Sequence, residues 1–532
     1  VQRSGAADAA HDGRAARHEC ETANHHTDSG GVVLTTVQLC TPEQAARWLH
    51  ERVTGTLWAD SRKAGKGDGF IAWPGAATDG RQYVKAALAA GSAACLVENA
   101  DVEAYGFDDD RVATYEGLKS ATGLIAAAYF DAPSAQLELV AITGTNGKTS
   151  TAWWLAQALG RLERPCGLVG TLGIGTPGAM VSTGMTTPDP VLLQQQLRLF
   201  AEKGFSACVL EASSIGIEER RLDGTKIQLA VFTNFTQDHL DYHASMDAYW
   251  ASKKALFNWP GLRAAVINID DHKGLELADL LASTPLDCWT VSCVGPARLE
   301  AQAIRQGAQG LSFDVVEGTG RHTLSTTMVG LYNVSNLLGV IASLRAMAVP
   351  LADAVTACKD LLPVPGRTET LSMTGMPLVV IDYAHTSDAL GKVLLALRPV
   401  AQGRGGRLWC VFGCGGDRDA SKRPLMAAAA EKMADHLVLT SDNPRSENPL
   451  HIIEQMQLGL DQPQIAHEEP DRHAAIAHAL ERAQAKDVVL LAGKGHENYQ
   501  EIKGVKMAFS DRDQAQTVLN AMVAGRQAKE AA

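Results

Sequence analysis

The sequence predicts an α/β protein of three domains: a small mixed α/β N-terminal domain, a central domain with a mostly parallel sheet, and a C-terminal Rossmann-like domain. Three observations support this prediction. The 532 residues are too many for a single hydrophobic core. Short apolar runs alternate with helical patterns along the second and third parts of the chain, which is typical of a parallel sheet covered on both faces. Segments that contain proline or glycine separate the parts.

The composition is that of an ordinary globular protein, with 46% hydrophobic and 20% charged residues. The net charge of −12 argues against a general nucleic-acid-binding surface. No apolar run approaches the ~18 residues that span a bilayer, so we expect no membrane segment. Ten cysteines are too few for a disulfide scaffold in a chain of this length, and their close pairs lack the partners of a zinc site. The cysteines therefore indicate a reducing, cytosolic environment.

Residues 1–35 differ from everything that follows. The stretch is polar and lacks the apolar core of a secretory signal, and its acidic residues argue against a transit peptide. Because it has too little apolar content to offset the entropy of ordering, we expect a disordered leader that is dispensable for activity.

The first folded domain is predicted over residues 36–136. In it, "DGFIAW" and "AACLVEN" have the short apolar pattern of strands, and "GRQYVKAALAAG" has the pattern of a helix ended by glycine. The proline-containing segment "DAPSAQLELV" joins this domain to the next. We therefore expect a small sheet with helices packed on it.

The central domain is predicted over residues 137–363 and the C-terminal domain over residues 364–532, with "LLPVPGRTET" at the boundary. Strand-like segments of the central domain are "ACVLEAS", "LAVFTNF" and "AAVINID". In the C-terminal domain, four strands end in polar loops, namely "PLVVIDYAH", "RLWCVFGCGG", "HLVLTSDNP" and "DVVLLAGKGHE". Parallel strands end at one sheet edge, where ligands bind, so we expect the four loops to meet there.

The stretch "LELVAITGTNGKTSTAWWLAQAL" is a strand, a glycine-rich turn and a helix in that order. Gly144 and Gly147 allow the backbone to curl so that N–H groups point at phosphate oxygens. Lys148 can reach the β- and γ-phosphates, and Thr149 can place its hydroxyl on Mg²⁺. Ile142 stands where the usual motif has its first glycine. The strand–turn–helix context nevertheless predicts a P-loop that binds ATP in the central domain.

Two further stretches carry candidate metal ligands. "FSACVLEASSIG" is a strand that ends on Glu211, which is suited to Mg²⁺ beside a P-loop; the alternative is a carboxylate at a helix start. "FTNFTQDHLDYH" places Asp238, His239, Asp241 and His243 in one loop. Such a cluster could bind zinc, but it lacks the helical pair of histidines with an intervening glutamate.

The motifs "GTNGKTST", "TNFTQDHLDYH", "YNVSNLL", "DYAHT", "FGCGGDRDASKRP" and "AGKGHE" occur in the order found in the Mur ligases, and the chain resembles that family over residues 38–525. The resemblance implies a bacterial cytoplasmic enzyme with the three domains predicted above: a UDP-binding domain, an ATPase domain and an amino-acid-binding domain. It is strongest to the members that add meso-diaminopimelate to UDP-N-acetylmuramoyl-L-alanyl-D-glutamate (UDP-MurNAc-dipeptide) in peptidoglycan precursor synthesis. The implied reaction consumes ATP, needs Mg²⁺ and passes through an acyl phosphate. We expect a monomer without nucleic-acid or membrane partners.

The resemblance also implies roles for individual residues of the first two domains. The UDP-MurNAc-dipeptide would be bound by Ala59, Ser61, Ala76, Ala77, Thr78, Met185, Thr186, Thr187, Ser213, Glu219 and Arg221. Met185 and Glu219 stand where the family commonly has Asn and Gln, and Ile215 stands where it often has His. ATP would be bound by Gly144, Thr145, Asn146, Gly147, Lys148, Thr149, Ser150, Asn336, Arg367, Asp382 and His385.

The loop "VLTSDNPR" matches the family's diaminopimelate-recognition loop, and Arg445 in it is suited to a bidentate hold on a carboxylate. A solvated turn with a surface arginine is the alternative. By the same match, the amino-acid site comprises Arg418, Asp442, Asn443, Pro444, Arg445, Gly493 and Glu497. Catalysis would depend on Lys148, Glu211, His239 and Lys253, and the metal would be held by Thr149, Glu211, His239 and Lys253 as a carbamate.

Three alternatives stay open at this point. Lys253 and Lys254 could be two ordinary lysines on a helix surface. Within the superfamily, the chain could be a lysine-adding enzyme or a folylpolyglutamate synthase, although "DSRKAGKGD" argues against folate and Arg445 against lysine. In a different class, it could be a P-loop switch or transport ATPase that forms no peptide bond.

Overall fold

The computed structural model describes residues 36–75, 78–307 and 310–531. These residues form two compact units, one that ends at Asp131 and one that begins at Ala132. The predicted leader, together with Ala76 and Ala77 of the predicted nucleotide-sugar site, lies outside the described residues. The domain limits drawn from the sequence stay predictions, but the strands do form three main sheets, in agreement with the predicted fold class.

The first unit is built on a five-stranded sheet with the strand order β1-β5-β4-β3-β2, and its four strand pairs are parallel. The predicted helix "GRQYVKAALAAG" starts as a 3₁₀ turn and ends before Gly91, which has a φ of 99°. The buried carboxylate of Glu98 accepts the N–H of Leu118 at 2.7 Å and so caps the last helix. The elements are β1 Val37–Leu39, α1 Pro42–His50, β2 Leu57–Trp58, β3 Gly69–Ala72, α2 Val84–Ala89, β4 Ala94–Glu98, β5 Val112–Tyr115 and α3 Leu118–Tyr129.

The second unit begins with an eleven-stranded sheet of order β16-β15-β14-β13-β12-β11-β6-β10-β7-β8-β9. Its strands are β6 Glu138–Thr143, β7 Cys166–Gly170, β8 Gly173–Thr176, β9 Ala179–Val181, β10 Ala207–Glu211, β11 Leu229–Phe232, β12 Ala264–Asn268, β13 Asp287–Ser292, β14 Leu299–Gly307, β15 Gly310–Glu317 and β16 Gly320–Thr326. The helices are α4 Lys148–Arg161, α5 Pro190–Glu202, α6 Ser214–Glu218, α7 Met246–Lys254, α8 His272–Leu281, α9 Tyr332–Ala346 and α10 Leu351–Ala357.

The middle of this sheet is parallel, as predicted, and both ends are antiparallel. The central strands β6 and β10 are buried almost throughout because helices cover both faces of the sheet. By contrast, β14 alternates between buried and less buried residues, as a strand with one covered face does. The P-loop therefore follows one buried strand, β6, and Glu211 is the last residue of another, β10.

The C-terminal part of the second unit is built on a six-stranded sheet of order β17-β18-β22-β19-β20-β21, and β23 and β24 form a separate hairpin. The strands are β17 Glu369–Leu371, β18 Leu378–Asp382, β19 Leu408–Phe412, β20 His436–Leu439, β21 Ala466–Glu468, β22 Val488–Ala492, β23 Tyr499–Ile502 and β24 Val505–Ala508. The helices are α11 Ser387–Arg404, α12 Lys422–Met433, α13 Pro449–Gln457, α14 Arg472–Arg482 and α15 Asp511–Ala531.

The strands β18, β22, β19 and β20 are neighbours and all parallel. Their four following loops consequently lie at one edge of the sheet, which confirms the arrangement predicted from the sequence. Within the three described ranges, no helix is both long and apolar enough to cross a membrane.

Candidate active site

The P-loop joins β6 to α4 through two glycines with positive φ, 143° at Gly144 and 85° at Gly147. A Cβ on Gly144 would lie 1.9 Å from the hydroxyl oxygen of Thr233, so the loop can be built only with glycine there. The ammonium of Lys148 donates to the carbonyls of Gly144 and Thr145, both at 2.9 Å. The lysine is therefore folded over its own loop, beside the space that phosphates occupy in P-loop proteins.

A cavity of about 330 Å³ opens at the start of α4. It brings together eight of the residues predicted to bind ATP, from both sheets of the second unit. These residues are Asn146, Gly147, Thr149, Ser150, Asn336, Arg367, Asp382 and His385. Asp382 is buried and accepts the N–H of Thr368 at 2.7 Å; burial raises the pKa of this carboxyl.

Glu211 ends β10 as a buried carboxylate, with 1% of its surface exposed. It accepts the hydroxyl of Thr149 at 2.9 Å, and both the hydroxyl and the N–H of Thr171, at 3.1 and 2.8 Å. Ser213, rather than Glu211, caps α6. The alternative of a helix-start carboxylate is therefore wrong, because Glu211 faces the P-loop.

The loop that contains Asp238 and His239 lines another cavity of the second unit, described below. One oxygen of Asp238 lies 3.6 Å from Nε2 of His239 and 3.9 Å from Nε2 of His385. Burial would raise the pKa of Asp238, but the two histidines lower it to about 2, and burial lowers the pKa of His239 to about 4. An anionic aspartate between two histidines is thus part of the site.

The zinc alternative for this loop gains no support from the structure. His243 contacts the hydroxyl of Ser214 at 3.0 Å, and Asp241 lies 3.9 Å from Arg418, so the four side chains do not converge. Among the described residues, no three His, Cys, Asp or Glu side chains form a group that could hold a metal ion.

Lys253 is 1% exposed, whereas Lys254 is only partly buried, so the alternative of two equivalent helix-surface lysines is wrong. The Nζ of Lys253 donates to the carbonyl of Gly144 at 2.7 Å and lies 4.5 Å from the ring centroid of Tyr249. Burial, and next the charge of Lys148, lower the pKa of Lys253 well below its usual value. Lys148 and Lys253 therefore share the carbonyl of Gly144.

A second cavity, of about 460 Å³, lies beyond Lys148 and His239, which line it. It gathers residues predicted for two different substrates. From the dipeptide group it contains Met185, Thr186, Thr187, Ser213 and Arg221, and from the amino-acid group it contains Arg418, Asp442, Asn443, Arg445, Gly493 and Glu497. Tyr383 and His385 border this cavity as well as the first.

The dipeptide side of the second cavity is held by a short network. The hydroxyl of Thr187 donates to the carbonyl of Glu211 at 2.8 Å and lies 2.9 Å from the hydroxyl of Ser213. Arg221 donates to the carbonyl of Thr187 at 2.9 Å. Glu219, in contrast, accepts the hydroxyl of Tyr242 at 2.6 Å and lines neither cavity. Glu219 therefore does not join the other predicted dipeptide-binding residues of the second unit in this cavity.

The other predicted nucleotide-sugar residues belong to the first unit. Ala59 and Ser61 follow β2, and the carbonyl of Thr78 accepts the N–H of Gly75 at 2.9 Å. Their predicted role stays a prediction.

The amino-acid side of the second cavity is built from the loops after β20 and β22. The amide of Asn443 donates to Glu497 at 2.8 Å and accepts Lys494 at 3.1 Å. Lys494 is fully buried and also donates to Glu497 at 2.9 Å. The sequence reading did not select Lys494, although it lies inside the motif "AGKGHE". The burial of this cation can be recognised only from the structure, where its hydrogen-bond acceptors are known.

Arg445 is not a solvated turn residue, because its side chain is 22% exposed and lines the cavity. Its Nη1 donates to the carbonyl of Gly416 at 2.6 Å, and its Nε lies 3.8 Å from a carboxylate oxygen of Glu501. Pro444 is buried and lines neither cavity. The sequence reading also missed Thr171, which no motif marks, and Tyr383, which lies inside "DYAHT".

The chain matches two domain families, the Mur ligase middle domain over residues 142–344 and the Mur ligase glutamate ligase domain over residues 366–495. It is 58% identical over 488 residues to a UDP-N-acetylmuramoyl-L-alanyl-D-glutamate–2,6-diaminopimelate ligase from Acidovorax sp. (strain JS42), covering 90% of this chain and 97% of the relative. It is 46% identical to a protein of the same name from Janthinobacterium sp. (strain Marseille), over 92% of this chain and 99% of the relative.

Solved structures agree with these relatives. A structure of a ligase with the same name is 34% identical, with a TM-score of 0.60, and the match covers 88% of this chain and 95% of that one. The MurF ligase from Thermotoga maritima in complex with ADP has the same fold, with a TM-score of 0.63 at 17% identity over 90% of this chain and 99% of that one. From the two matched domains and the identity to its relatives, the chain belongs to the Mur ligase family.

Proposed function

We propose that this chain is an ATP-dependent ligase that joins meso-diaminopimelate to UDP-MurNAc-dipeptide, in peptidoglycan precursor synthesis. The relatives at 58% and 46% identity carry the name of this activity. The observation that carries the proposal is the second cavity. Its lining includes the P-loop lysine, Lys148, together with residues of the dipeptide side and of the loop that contains Arg445. A ligase needs the phosphate-binding lysine and the sites of both substrates to border one cavity, whereas a P-loop switch does not.

The proposed reaction has two steps. The bond between the γ-phosphorus and the bridging oxygen of ATP breaks as the D-glutamate side-chain carboxylate attacks, and ADP leaves. The amine of the incoming amino acid then attacks the acyl phosphate, loses a proton and displaces phosphate. Because the carboxylate and the triphosphate are both anionic, the site must supply positive charge where they meet. Lys148 borders that space, and Arg367 reaches the P-loop from the C-terminal sheet.

The residues present fit Mg²⁺. Glu211 is a buried carboxylate that forms no salt bridge within the described part of the chain. It accepts a hydrogen bond from the hydroxyl of Thr149. Oxygen donors of this kind suit a hard divalent cation. Thr149, Glu211, His239 and Lys253 as a carbamate are the residues that we propose to hold it. When bound, Mg²⁺ would neutralise phosphate charge.

The second cavity carries charges of both signs on its amino-acid side, as recognition of a diamino dicarboxylic acid requires. Arg418 and Arg445 can pair with carboxylates. Glu497 uses one oxygen for Asn443 and Lys494, and within the described ranges its other oxygen accepts no hydrogen bond, so we propose that it receives a substrate ammonium. We propose that Arg445 receives the distal carboxylate, which lysine lacks.

We further propose that the enzyme is a monomer of the bacterial cytoplasm that acts on small molecules without nucleic-acid or membrane partners. The net charge of −12 and the small-molecule substrates named by the relatives support this proposal.

The test is phosphate release by the purified chain with ATP, Mg²⁺ and UDP-MurNAc-dipeptide, with meso-diaminopimelate, L-lysine, L-glutamate or no amino acid. We expect release only when the dipeptide and meso-diaminopimelate are both present. Equal use of lysine would indicate the lysine-adding enzyme, and release without any amino acid would indicate an ATPase of another class. A folate substrate in place of the dipeptide tests the folylpolyglutamate synthase alternative.

A further inference from the structure

The hairpin of β23 and β24 is separate from the sheets that form the hydrophobic cores. Its two-residue turn is Lys503-Gly504, with φ values of 50° and 77°, the left-handed pair that tight hairpins require. All four residues of β24 are exposed. Because β24 is exposed, the hairpin contributes little to a hydrophobic core. Its role must therefore lie in the contacts that β23 makes.

β23 contacts the loop Asp442–Arg445. The amide of Gln500 donates to the carbonyl of Asp442 at 2.7 Å, and the N–H of Glu501 donates to the side-chain oxygen of Asn443 at 2.9 Å. At the far end of the loop, Arg445 pairs with Ile502 as a single parallel β-bridge. The N–H of Arg445 donates to the carbonyl of Glu501 at 3.0 Å, and its carbonyl accepts the N–H of Lys503 at 2.6 Å.

The backbone of Arg445 needs this support. Its φ is 50°, a left-handed conformation that a side chain with a Cβ disfavours. Both backbone polar groups of Arg445 are satisfied by the hairpin, and Nη1 is fixed on the carbonyl of Gly416. Among the described residues, Nη2 has no hydrogen-bond partner, and the side chain lines the second cavity. The hairpin therefore fixes the backbone from which the guanidinium of Arg445 extends to the carbonyl of Gly416 and to the cavity.

We propose that the hairpin Tyr499–Ala508 is a specificity-determining element of the amino-acid site. It positions Arg445 for a substrate carboxylate, with Gln500 and the Lys503-Gly504 turn as positioning residues that do not touch the substrate. This inference rests on the proposed function, because it assigns the hairpin to the amino-acid half of the same site. A purely structural hairpin would affect stability, and any change in KM would be the same for all three substrates.

The decisive variant is Gly504→Pro. A Cβ at Gly504 meets nothing within 4 Å, but proline fixes φ near −65° and cannot adopt the turn. The matched control is Gly318→Pro. Gly318 lies in the two-residue turn between β15 and β16, has a φ of 57°, has open space at its Cβ and lines neither cavity. A second variant, Gln500→Leu, removes one side-chain contact and leaves the turn intact.

The measurement is KM and kcat for meso-diaminopimelate, ATP and UDP-MurNAc-dipeptide, with the melting temperature of each variant. We expect Gly504→Pro to raise KM for the amino acid about tenfold or more, with the other two KM values within about twofold, and Gln500→Leu to raise it about threefold. Gly318→Pro should change no KM. An amino-acid KM within about twofold of wild type in both hairpin variants would overturn the inference, as would an equal change in all three KM values.

The outcomes separate the two proposals. If the wild type ligates another amino acid instead of meso-diaminopimelate, the proposed function is wrong, and the hairpin is tested by the KM for that amino acid. If the wild type ligates meso-diaminopimelate and both hairpin variants behave like Gly318→Pro, only the inference about the hairpin is wrong. A wild type that ligates nothing contradicts both.

Discussion

The guanidinium of Arg367 donates a hydrogen bond of 3.2 Å to the hydroxyl of Thr149, although 218 positions separate the two residues. Thr149 in turn donates to Glu211 at 2.9 Å, so a cation, a hydroxyl and a carboxylate form one chain beside the 330 Å³ cavity. The guanidinium also lies 4.4 Å from the ring centroid of Tyr383. The C-terminal sheet thus supplies a charge to the P-loop at a fixed position.

Replacing Arg367 tests that relationship. Arg367→Ala should lower kcat/KM for ATP by about 10²-fold, the usual loss for a positioned donor in a site of this kind. Arg367→Lys should restore little of it, because an ammonium cannot both lie flat on the Tyr383 ring and reach Thr149. Initial rates at varied ATP give the result. A lysine variant with nearly wild-type kcat/KM would show that charge alone suffices.

Lys148→Ala should reduce phosphate release by about 10²-fold or more and leave a folded protein, because the ammonium acts mainly on the transferring phosphoryl group. The two carbonyls that Lys148 contacts, Gly144 and Thr145, lie on a loop with partners of its own, including Asn234. Phosphate release and the melting temperature are the measurements. Release within about tenfold of the wild type would contradict the role.

Lys253→Ala should lose activity, and short carboxylic acids should restore part of it, if the native residue is a carbamate. The buried amine with its lowered pKa favours the neutral form that reacts with CO₂. Lys254→Ala is the control, because its side chain is more exposed, and it should remain active. Intact-protein mass under gentle conditions gives an independent measurement. An unmodified Lys253 in a fully active enzyme would end this interpretation.

Arg445 should determine the choice of amino acid. Lysine would leave the guanidinium without a substrate carboxylate, and a site built for a polar partner rejects such an analogue by roughly 10⁴-fold. Arg445→Ala should remove most of the preference by harming meso-diaminopimelate, and Arg445→Lys should not restore it.

The measurement for Arg445 is kcat/KM for both amino acids with the wild type and both variants. A surface arginine would change these values by less than about threefold, or ~0.7 kcal/mol. Comparable use of lysine by the wild type would also contradict the role.

Glu447 should make stability depend on acid pH. Its hydrogen bonds from Arg423, at 2.8 and 2.9 Å, lower its pKa from 4.5 to about 2. A carboxyl with a depressed folded-state pKa adds stability above pH about 4.5 and loses it as the pH falls towards about 2. Glu447→Gln should therefore be less stable at pH 7 and lose less stability on acidification. Glu454→Gln, at a carboxylate that is 70% exposed, is the control for melting curves between pH 7 and 3.

The sequence was most informative where backbone rules leave few choices. The order of strand, glycine turn and helix placed Lys148 and Thr149 correctly, and the rule for parallel strands placed the Asp442 and Gly493 loops at one edge. These features depend on local geometry and on strand direction, which apolar patterns reveal.

Other features of the site depend on contacts between distant parts of the chain and could not be predicted from the sequence. Lys494 is fully buried because acceptors from two loops, Asn443 and Glu497, surround it, and no local pattern announces such burial of a cation. The hairpin turn at Lys503-Gly504 is a short signal, and its importance comes from contacts with a loop almost sixty positions earlier. Glu219 shows the converse, since it was assigned to the dipeptide site by its place in the sequence but accepts a hydrogen bond from Tyr242 instead.

Tyr383 and His385 line both the 330 Å³ and the 460 Å³ cavity, so their side chains form a wall that the two spaces share. A bivalent inhibitor could exploit this short partition. Two weak fragments, one against Asn336 and one against Arg445, would be joined by a tether that passes His385. Such a tether replaces a second bimolecular encounter with an effective concentration of about millimolar, so the affinity of the joined molecule can exceed that of either fragment by about 10² to 10⁴.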